Sequence, residues 1–252
     1  MTWWEALLVL AAGIGAGTIN TVVGSGTLIT FPVLLAFGLP PVTANVSNTI
    51  GLVPGSLSGA IGYRRELAGQ GGRLRRLGTA SLLGGLLGAW LLIRLPGSAF
   101  KAIVPVLILL ALVLVVLQPR VARAMAARRR DGAATGTGPV LLLGVFLTGI
   151  YGGYFGAAQG VLLIAILGML LDDGMQRLNA AKNVLALTVN GVAAVFFLFS
   201  SHTDWTAVLL IAAGSVLGGQ IGAKVGRRLA PPVLRGVIVA IGLVAVVRLL
   251  IA

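Results

Sequence analysis

Long apolar runs alternate along this chain with short breaks of glycine, proline and small polar residues. The runs fall at about 4–23, 27–39, 45–62, 77–93 and 100–117, then at about 139–156, 160–171, 183–200, 206–223 and 234–251. Stretches such as AIVPVLILLALVLVVL and VIVAIGLVAVV are continuously apolar, which predicts membrane-spanning helices. β-barrel strands would instead alternate apolar and polar side chains over about ten residues. The second run of each set of five is short. Leu28 to Leu39 would rise only about 18 Å as a helix, against a hydrocarbon core of about 30 Å, so it is expected to be a half-depth element. Pro32, Pro40 and Pro41 agree with this, because proline cannot continue the backbone ladder.

The breaks that flank this element are NTVVGSGT at Asn20–Thr27 and TANVSN at Thr43–Asn48. Small polar residues in lipid are unfavourable unless they face protein, water or a ligand. Glycine lets the backbone leave helical geometry, and the amides and hydroxyls supply donors and acceptors where the ladder opens. The segment Gly13–Gly59 therefore reads as a pair of discontinuous membrane elements lining a polar site.

The two sets of five echo each other in letters. SLLGGLLGA at Ser81–Ala89 and SVLGGQIGA at Ser215–Ala223 share six of nine residues at an offset of 134. The same offset pairs Arg94 with Arg228, Leu95 with Leu229, Lys101 with Arg235 and Gly26 with Gly160; with one inserted residue, Asn48 pairs with Asn183. A register held over this distance indicates duplication. Short, interrupted segments at matching places in two halves point to a binding site between them. The glycines at Gly84, Gly85, Gly88, Gly218, Gly219 and Gly222 are expected to let helices approach closely.

Charge orients the halves. Fourteen of the nineteen basic residues lie in three connections, Arg64–Arg76, Arg120–Arg130 and Lys224–Arg235, which the positive-inside bias places in the cytoplasm. SSHTDW at Ser200–Trp205 carries no Lys or Arg and is expected outside, as is the link near Pro96. The loop after the third segment thus faces opposite sides in the two halves, the sign of an inverted repeat with an odd number of crossings per half. Both termini then fall outside, although Arg248 sits against that assignment. The fold expected is an all-α polytopic transmembrane bundle. Its parts are an N-terminal membrane repeat at 1–117, a basic cytoplasmic linker at 118–138 and a C-terminal membrane repeat at 139–252. GAATGTGP, after the arginine run, reads as flexible.

Composition agrees. A mean hydropathy of +1.03 with 10% charged residues is far from the roughly 25% charge of soluble domains. Most of the basic residues behind the net charge of +13 lie in those three connections, which argues against nucleic acid as a partner. There is no cysteine, so disulfides, thiolate metal sites and thiol catalysis are excluded. The first residues, MTWWEALLVLAAG, lack a basic leader and read as a first membrane segment, with Trp3 and Trp4 at the interface.

GTINTVVGSGTLITFPVLLAFG and ANVSNTIGLVPGSLSGAIGYRREL in the first half, with GIYGGYFGAAQGVLLIAILG in the second, resemble the TauE/SafE-type sulfite exporter family over nearly the whole chain. The resemblance implies a multi-pass permease of the bacterial inner membrane, with two homologous halves, that moves sulfite, organosulfonates or other small anions. Here the glycine-rich turns are GSG at Gly24–Gly26 and AAQG at Ala157–Gly160.

An anion carrier needs partial positive charge at mid-membrane, and a broken helix supplies it through the free N–H groups and dipole at its N-terminus. The candidate substrate-binding residues are Asn20, Thr21, Gly24, Ser25, Gly26, Thr27, Asn45, Ser47, Asn48 and Thr49 from the first half. Gln159, Gly160, Asn179, Lys182 and Asn183 come from the second. Lys182, at the start of an apolar run, is either a buried cation partnered by an anion or an interfacial lysine whose head reaches the cytoplasm. The six acids, Glu5, Glu66, Asp131, Asp172, Asp173 and Asp204, all lie at or near segment ends. That pattern weakens cation transport and a membrane metal site, and no cofactor is expected. Asp172 and Asp173 read as a solvated turn, or as acids that couple protons from a cavity. Asn190 and Gln220 line the path or bond between helices. One histidine, His202, gives little support to a membrane enzyme; a passive anion channel is the other alternative. A homo-oligomer is compatible with everything above.

Overall fold

A computed structural model describes residues 1–130 and 138–225, together with Gly236 and residues 239–243 and 246–247. The described residues form nine helices and no strand: α1 (Trp3–Val22), α2 (Thr27–Ala36), α3 (Pro41–Gly62), α4 (Gly71–Arg94), α5 (Gly97–Arg130), α6 (Pro139–Tyr154), α7 (Gln159–Leu170), α8 (Met175–Ser200) and α9 (Trp205–Val225). Five helical stretches, Trp3–Val22, Gly71–Arg94, Gly97–Arg120, Met175–Ser200 and Trp205–Lys224, are long and apolar enough to cross a membrane. The chain is an all-α polytopic helical bundle. Most of the expected tenth segment, with Arg228, Leu229, Arg235 and Arg248, lies outside the described residues, as do Asp131 and most of GAATGTGP.

Local chemistry sets the helix ends. Glu5 accepts from the Thr2 N–H at 2.7 Å in the first turn of α1, where a carboxylate suits the exposed amides. Pro41 and Pro139 open α3 and α6 at positions whose N–H has no helical partner. Gly38, at φ +82°, ends α2 as its neighbour Leu39 N–H bonds back to Leu34 O.

The short elements are half-length helices: ten residues in α2 and twelve in α7. Each folds back on the helix before it. The rings of Trp4, near the start of α1, and Phe37, just past α2, lie 5.7 Å apart, so this hairpin returns to the end where it began. In the second hairpin Leu141 of α6 and Leu171, just past α7, share a core cluster with Leu77 and Leu178.

The helix pairings repeat between halves. α1 packs on α9 as α6 packs on α4, α3 packs on α9 as α8 packs on α4, and α3 meets α8 at the centre. Glycines make these contacts close. A methyl group on Gly84 would fall 2.2 Å from Phe146 O, and one on Gly218 would fall 2.1 Å from Ile14 O. Asn190 donates to Ser56 Oγ at 3.4 Å, and Gln220 Nε2 donates to Ser58 O at 3.0 Å, tying α8 and α9 to α3.

The structure shifts the expected register. α3 and α8 begin at Pro41 and Met175, and α4 and α9 at Gly71 and Trp205, which keeps the offset of 134. The hairpins are offset by 132: Gly24 and Gly156 are the positive-φ residues that end α1 and α6, and Thr27 and Gln159 begin α2 and α7. Gly26 therefore corresponds to Ala158 and not to Gly160. Within α3 and α8, Asn45 corresponds to Asn179 and Asn48 to Lys182, not to Asn183.

Two connections also differ from expectation. α5 continues through the basic run to Arg130, so most of the 118–138 linker is helix; Arg120 and Arg123 follow Pro119 without a break. Arg73, Arg75 and Arg76 belong to the first turns of α4.

Candidate functional site

The tips of the two hairpins meet in the middle of the bundle. Gly160 N–H donates to Gly24 O at 3.0 Å, and a methyl group on Gly24 would lie 2.3 Å from the Gly160 Cα. Only glycine permits this approach, and Gly24 also has φ +89°. Ala158, at φ +60°, is the one non-glycine residue with positive φ among the described residues. A side chain in the left-handed region costs about 1–2 kcal/mol, so the fold holds this turn open against local preference. Gly26 packs on α1, where a methyl group would fall 2.5 Å from Ala16 O.

Neither α2 nor α7 has a side-chain cap, and Ser25, Gly26 and Thr27 N–H donate to no backbone carbonyl. Two helix N-termini thus lie side by side, that of α2 with amides to spare; in α7 the Gln159, Gly160 and Val161 N–H groups donate to Gly156 O, Gly24 O and Ala158 O. Buried polar atoms without a partner gather in the same residues: Ser25 Oγ, Gln159 Nε2, and the Oδ1 atoms of Asn45 and Asn179. Gln159 lies against Gly152, where an added methyl group would fall 2.4 Å from its Cδ. Tyr154 Oη is a fifth such atom, and no short-range sequence pattern singled it out. Orphaned buried polar groups are uncommon, and a cluster of them marks a place for water or a ligand.

α3 and α8 brace the tips in a matched way. Asn45 Nδ2 donates to Tyr154 O at the end of α6, at 3.0 Å, and Asn179 Nδ2 donates to Thr21 O at the end of α1, at 3.3 Å. Lys182 is fully buried, with its Nζ 3.0 Å from both Asn20 O and Thr21 O and its stem against Gly160. It is therefore not the interfacial lysine that was one of its two expected placements. A lysine here complements the free carbonyls and negative dipole end of α1, and no carboxylate pairs with it among the described residues. Asn183 adds a longer bond to Thr21 O at 3.4 Å. Asn48 binds α2, donating to Thr27 Oγ1 at 3.2 Å and accepting from Thr30 Oγ1. Thr30 was not among the expected residues; only its position on α2 facing α3 reveals it.

Three expected residues are engaged elsewhere. Ser47 Oγ accepts from the Asp204 N–H at 2.9 Å, in the α8–α9 connection. Thr49 Oγ1 bonds to Asn45 O of its own helix. Asn20 Nδ2 donates to Ser56 Oγ at 3.3 Å. Replacing Asn48 by Ala should lower the thermal midpoint more than replacing Asn183, because it strands the buried Thr27 hydroxyl, at about 1–3 kcal/mol, and leaves Thr30 Oγ1 only the longer bond to Gly26 O at 3.4 Å, where Asn183 loses one long bond. Equal midpoints for the two variants would contradict this.

Asp173 is no solvated turn residue. It pairs with Arg73 Nη2 at 2.6 Å and Arg177 Nε at 2.7 Å, and accepts from the Gly174 N–H. Burial by itself would raise its pKa, but these hydrogen bonds and positive charges outweigh that and hold the carboxyl below the usual carboxylate range. Its contribution to stability is then present above the ordinary carboxylate value and lost as pH falls through the lowered one. The midpoint of the wild type should drop more steeply with acid than that of Asp173→Asn.

A helical membrane bundle in which two half-length helices meet tip to tip, between helices that brace them with buried amides, is the architecture of a membrane transporter. A sequence model of the family described as Sulfite exporter TauE/SafE matches residues 9–249. The chain belongs to that family. It is 29% identical over 217 residues to a "Probable membrane transporter protein" of Haemophilus influenzae, covering 86% of this chain and 83% of that one. It is also 29% identical over 248 residues to the "Probable membrane transporter protein ORF9" of Sinorhizobium sp, covering 97% and 92%. With the "Probable membrane transporter protein YfcA" of Escherichia coli K12 it shares 25% over 236 residues, covering 93% and 86%. No solved structure matches the chain.

Proposed function

We propose that this membrane transporter is a secondary carrier for small anions. Its cargo would be sulfite or an organosulfonate, exported across a bacterial inner membrane by alternating exposure of the site where the hairpin tips meet. The observation that carries this reading is the free Ser25, Gly26 and Thr27 amides at the N-terminus of α2, set against the tip of α7 with the unpartnered Ser25 Oγ and Gln159 Nε2, beside a buried lysine that pairs with no carboxylate among the described residues. Amide hydrogens, a hydroxyl and an ammonium favour an oxyanion; the first half brings the α2 amides and Ser25, and the second brings Gln159 and, from α8, Lys182. Sulfite and sulfonates fit because their oxygens accept several short bonds at once; the family's name supports the same class.

The inverted relation of the halves is supported by the contact of Arg177, in the first turn of α8, with Ala68, in the connection that follows α3, at 3.0 Å. This places the start of one matched helix beside the end of the other. The arginine-rich end that holds Arg64, Arg65, Arg73 and Arg177 then faces the cytoplasm. A reporter fused after Arg130 should read cytoplasmic, and one within Ser200–Trp205 external.

Labelled sulfite, taurine, sulfoacetate and a carboxylate presented to proteoliposomes test the function. Saturable uptake, accelerated by unlabelled anion on the opposite side, is expected for a sulfur oxyanion. Flux that stays linear with concentration and shows no counterflow would replace the carrier by a passive channel. No flux of any of them would remove the reading.

A further inference from the structure

At the arginine-rich end one carboxylate joins the two halves. Arg73, in the first turn of α4, reaches from the first half to Asp173 in the second, at 2.6 Å, and Arg177 takes the other carboxylate oxygen at 2.7 Å. Around this core Gln70 Nε2 donates to Arg177 O at 3.1 Å and Arg177 Nη1 donates to Ala68 O at 3.0 Å. The α3–α4 turn is thereby fastened to the start of α8. Arg73 and Asp173 are only 19% and 15% exposed, and Arg73 Nε is buried without a partner. The opposite end is built differently. There Ser47 accepts from the Asp204 N–H, the Asp204 carboxylate takes the Ala207 N–H, and the position matching Arg73 is Ala207. Among the described residues, no ion pair spans that end.

Resting on the transporter reading, we propose that Arg73 and Arg177 form an anion-binding way-station on the cytoplasmic path, which Asp173 occupies while that path is shut. Two guanidinium groups converging on one carboxylate are a donor set that takes a sulfonate, sulfite or carboxylate equally well. When the α7–α8 turn moves aside, an arriving anion replaces Asp173, so the largely buried Arg73 keeps an anionic partner throughout, while Arg177, 40% exposed, is also met by water. Leaving Arg73 without an anion would be unfavourable, and the exchange avoids that step. The same exchange couples the presence of cargo to opening of the cytoplasmic side, whereas the outer side, closed by neutral contacts, has no equivalent demand.

The natural chain has no cysteine, so one introduced thiol reports water access to the centre. Ser25→Cys, with Val22→Cys as a second reporter if the first does not fold, would be labelled with a membrane-impermeant maleimide in inside-out vesicles. Asp173→Asn should raise the labelling rate from the cytoplasmic face about tenfold, within the range of ordinary coupling between sites. Asp173→Glu, which keeps a carboxylate for both arginines, should retain protection. Arg73→Gln should raise the concentration of labelled sulfite needed for half-maximal uptake into the same vesicles. Unchanged labelling in Asp173→Asn, or labelling in Asp173→Glu as fast as in Asp173→Asn, overturns the gate. An unchanged half-saturating concentration in Arg73→Gln overturns the way-station. Flux with unaltered labelling removes this proposal alone, while absence of flux for every anion removes the transporter reading instead.

Discussion

Gly24→Ala is expected to disrupt the bundle, with loss of the folded peak in detergent and of all transport. The new methyl would lie 2.3 Å from the Gly160 Cα and 2.8 Å from its carbonyl carbon, both backbone atoms that cannot swing aside. Overpacking of this kind costs about 1–3 kcal/mol, and a side chain at φ +89° adds about 1–2 kcal/mol. Gly160→Ala meets the same neighbour from the other side, 2.4 Å from the Gly24 Cα, but its backbone is an ordinary helical one. It should therefore be the milder of the two. A reversed order, or a Gly24→Ala protein that melts like the wild type, would show that the tips do not touch. Gly38 is the control: it also has positive φ, yet nothing lies within 4 Å of an added methyl, so Gly38→Ala should cost only the backbone term.

Lys182→Met is expected to lower uptake of labelled sulfite at least tenfold while the protein remains folded. Methionine keeps the apolar stem that packs on Gly160 and removes the amino group. Thr21 O retains Asn179 and Asn183 as donors, so only Asn20 O is left without one, at about 1–3 kcal/mol. Part of that loss is offset, because a charge at mid-membrane itself costs about 2.5–3.5 kcal/mol. Stability should change little, and the fall in uptake then reports the missing charge. Lys182→Arg keeps the charge but must fit a planar fork between α1 and Gly160, so it should restore uptake only partly. If Lys182→Met unfolds the protein as Gly24→Ala does, the lysine serves to cap α1 and does not hold cargo.

Much of this architecture is legible one segment at a time. Half-depth elements follow from run lengths at 27–39 and 160–171, and the glycine seams follow from SLLGGLLGA and SVLGGQIGA. Most of the polar residues that gather at the centre were visible as breaks in apolar runs. What was not legible are relations across the fold. Ser47 and Asn48 are neighbours with similar chemistry, yet one faces the α8–α9 connection and the other faces α2, because adjacent helical residues point about 100° apart. Asp173 looked like an ordinary turn residue, since its partner Arg73 is a hundred positions away. The offset of 134 held in the letters but not in the hairpins, because α7 is two residues longer than α2, a difference that continuous apolar runs do not reveal.

The sequence by itself determined that this chain is a membrane-embedded helical protein with interrupted segments, letters that recur between its halves, and most of its basic residues at or near segment ends. It could do so because lipid demands continuous apolar length and satisfied backbone groups, and both demands act locally. Only the tertiary structure decided which interruptions meet, that Lys182 turns toward the end of α1, and that Asp173 bridges the halves. Those outcomes depend on how closely two helices approach and on which side chain fills the space between them, and such distances are properties of the assembled bundle.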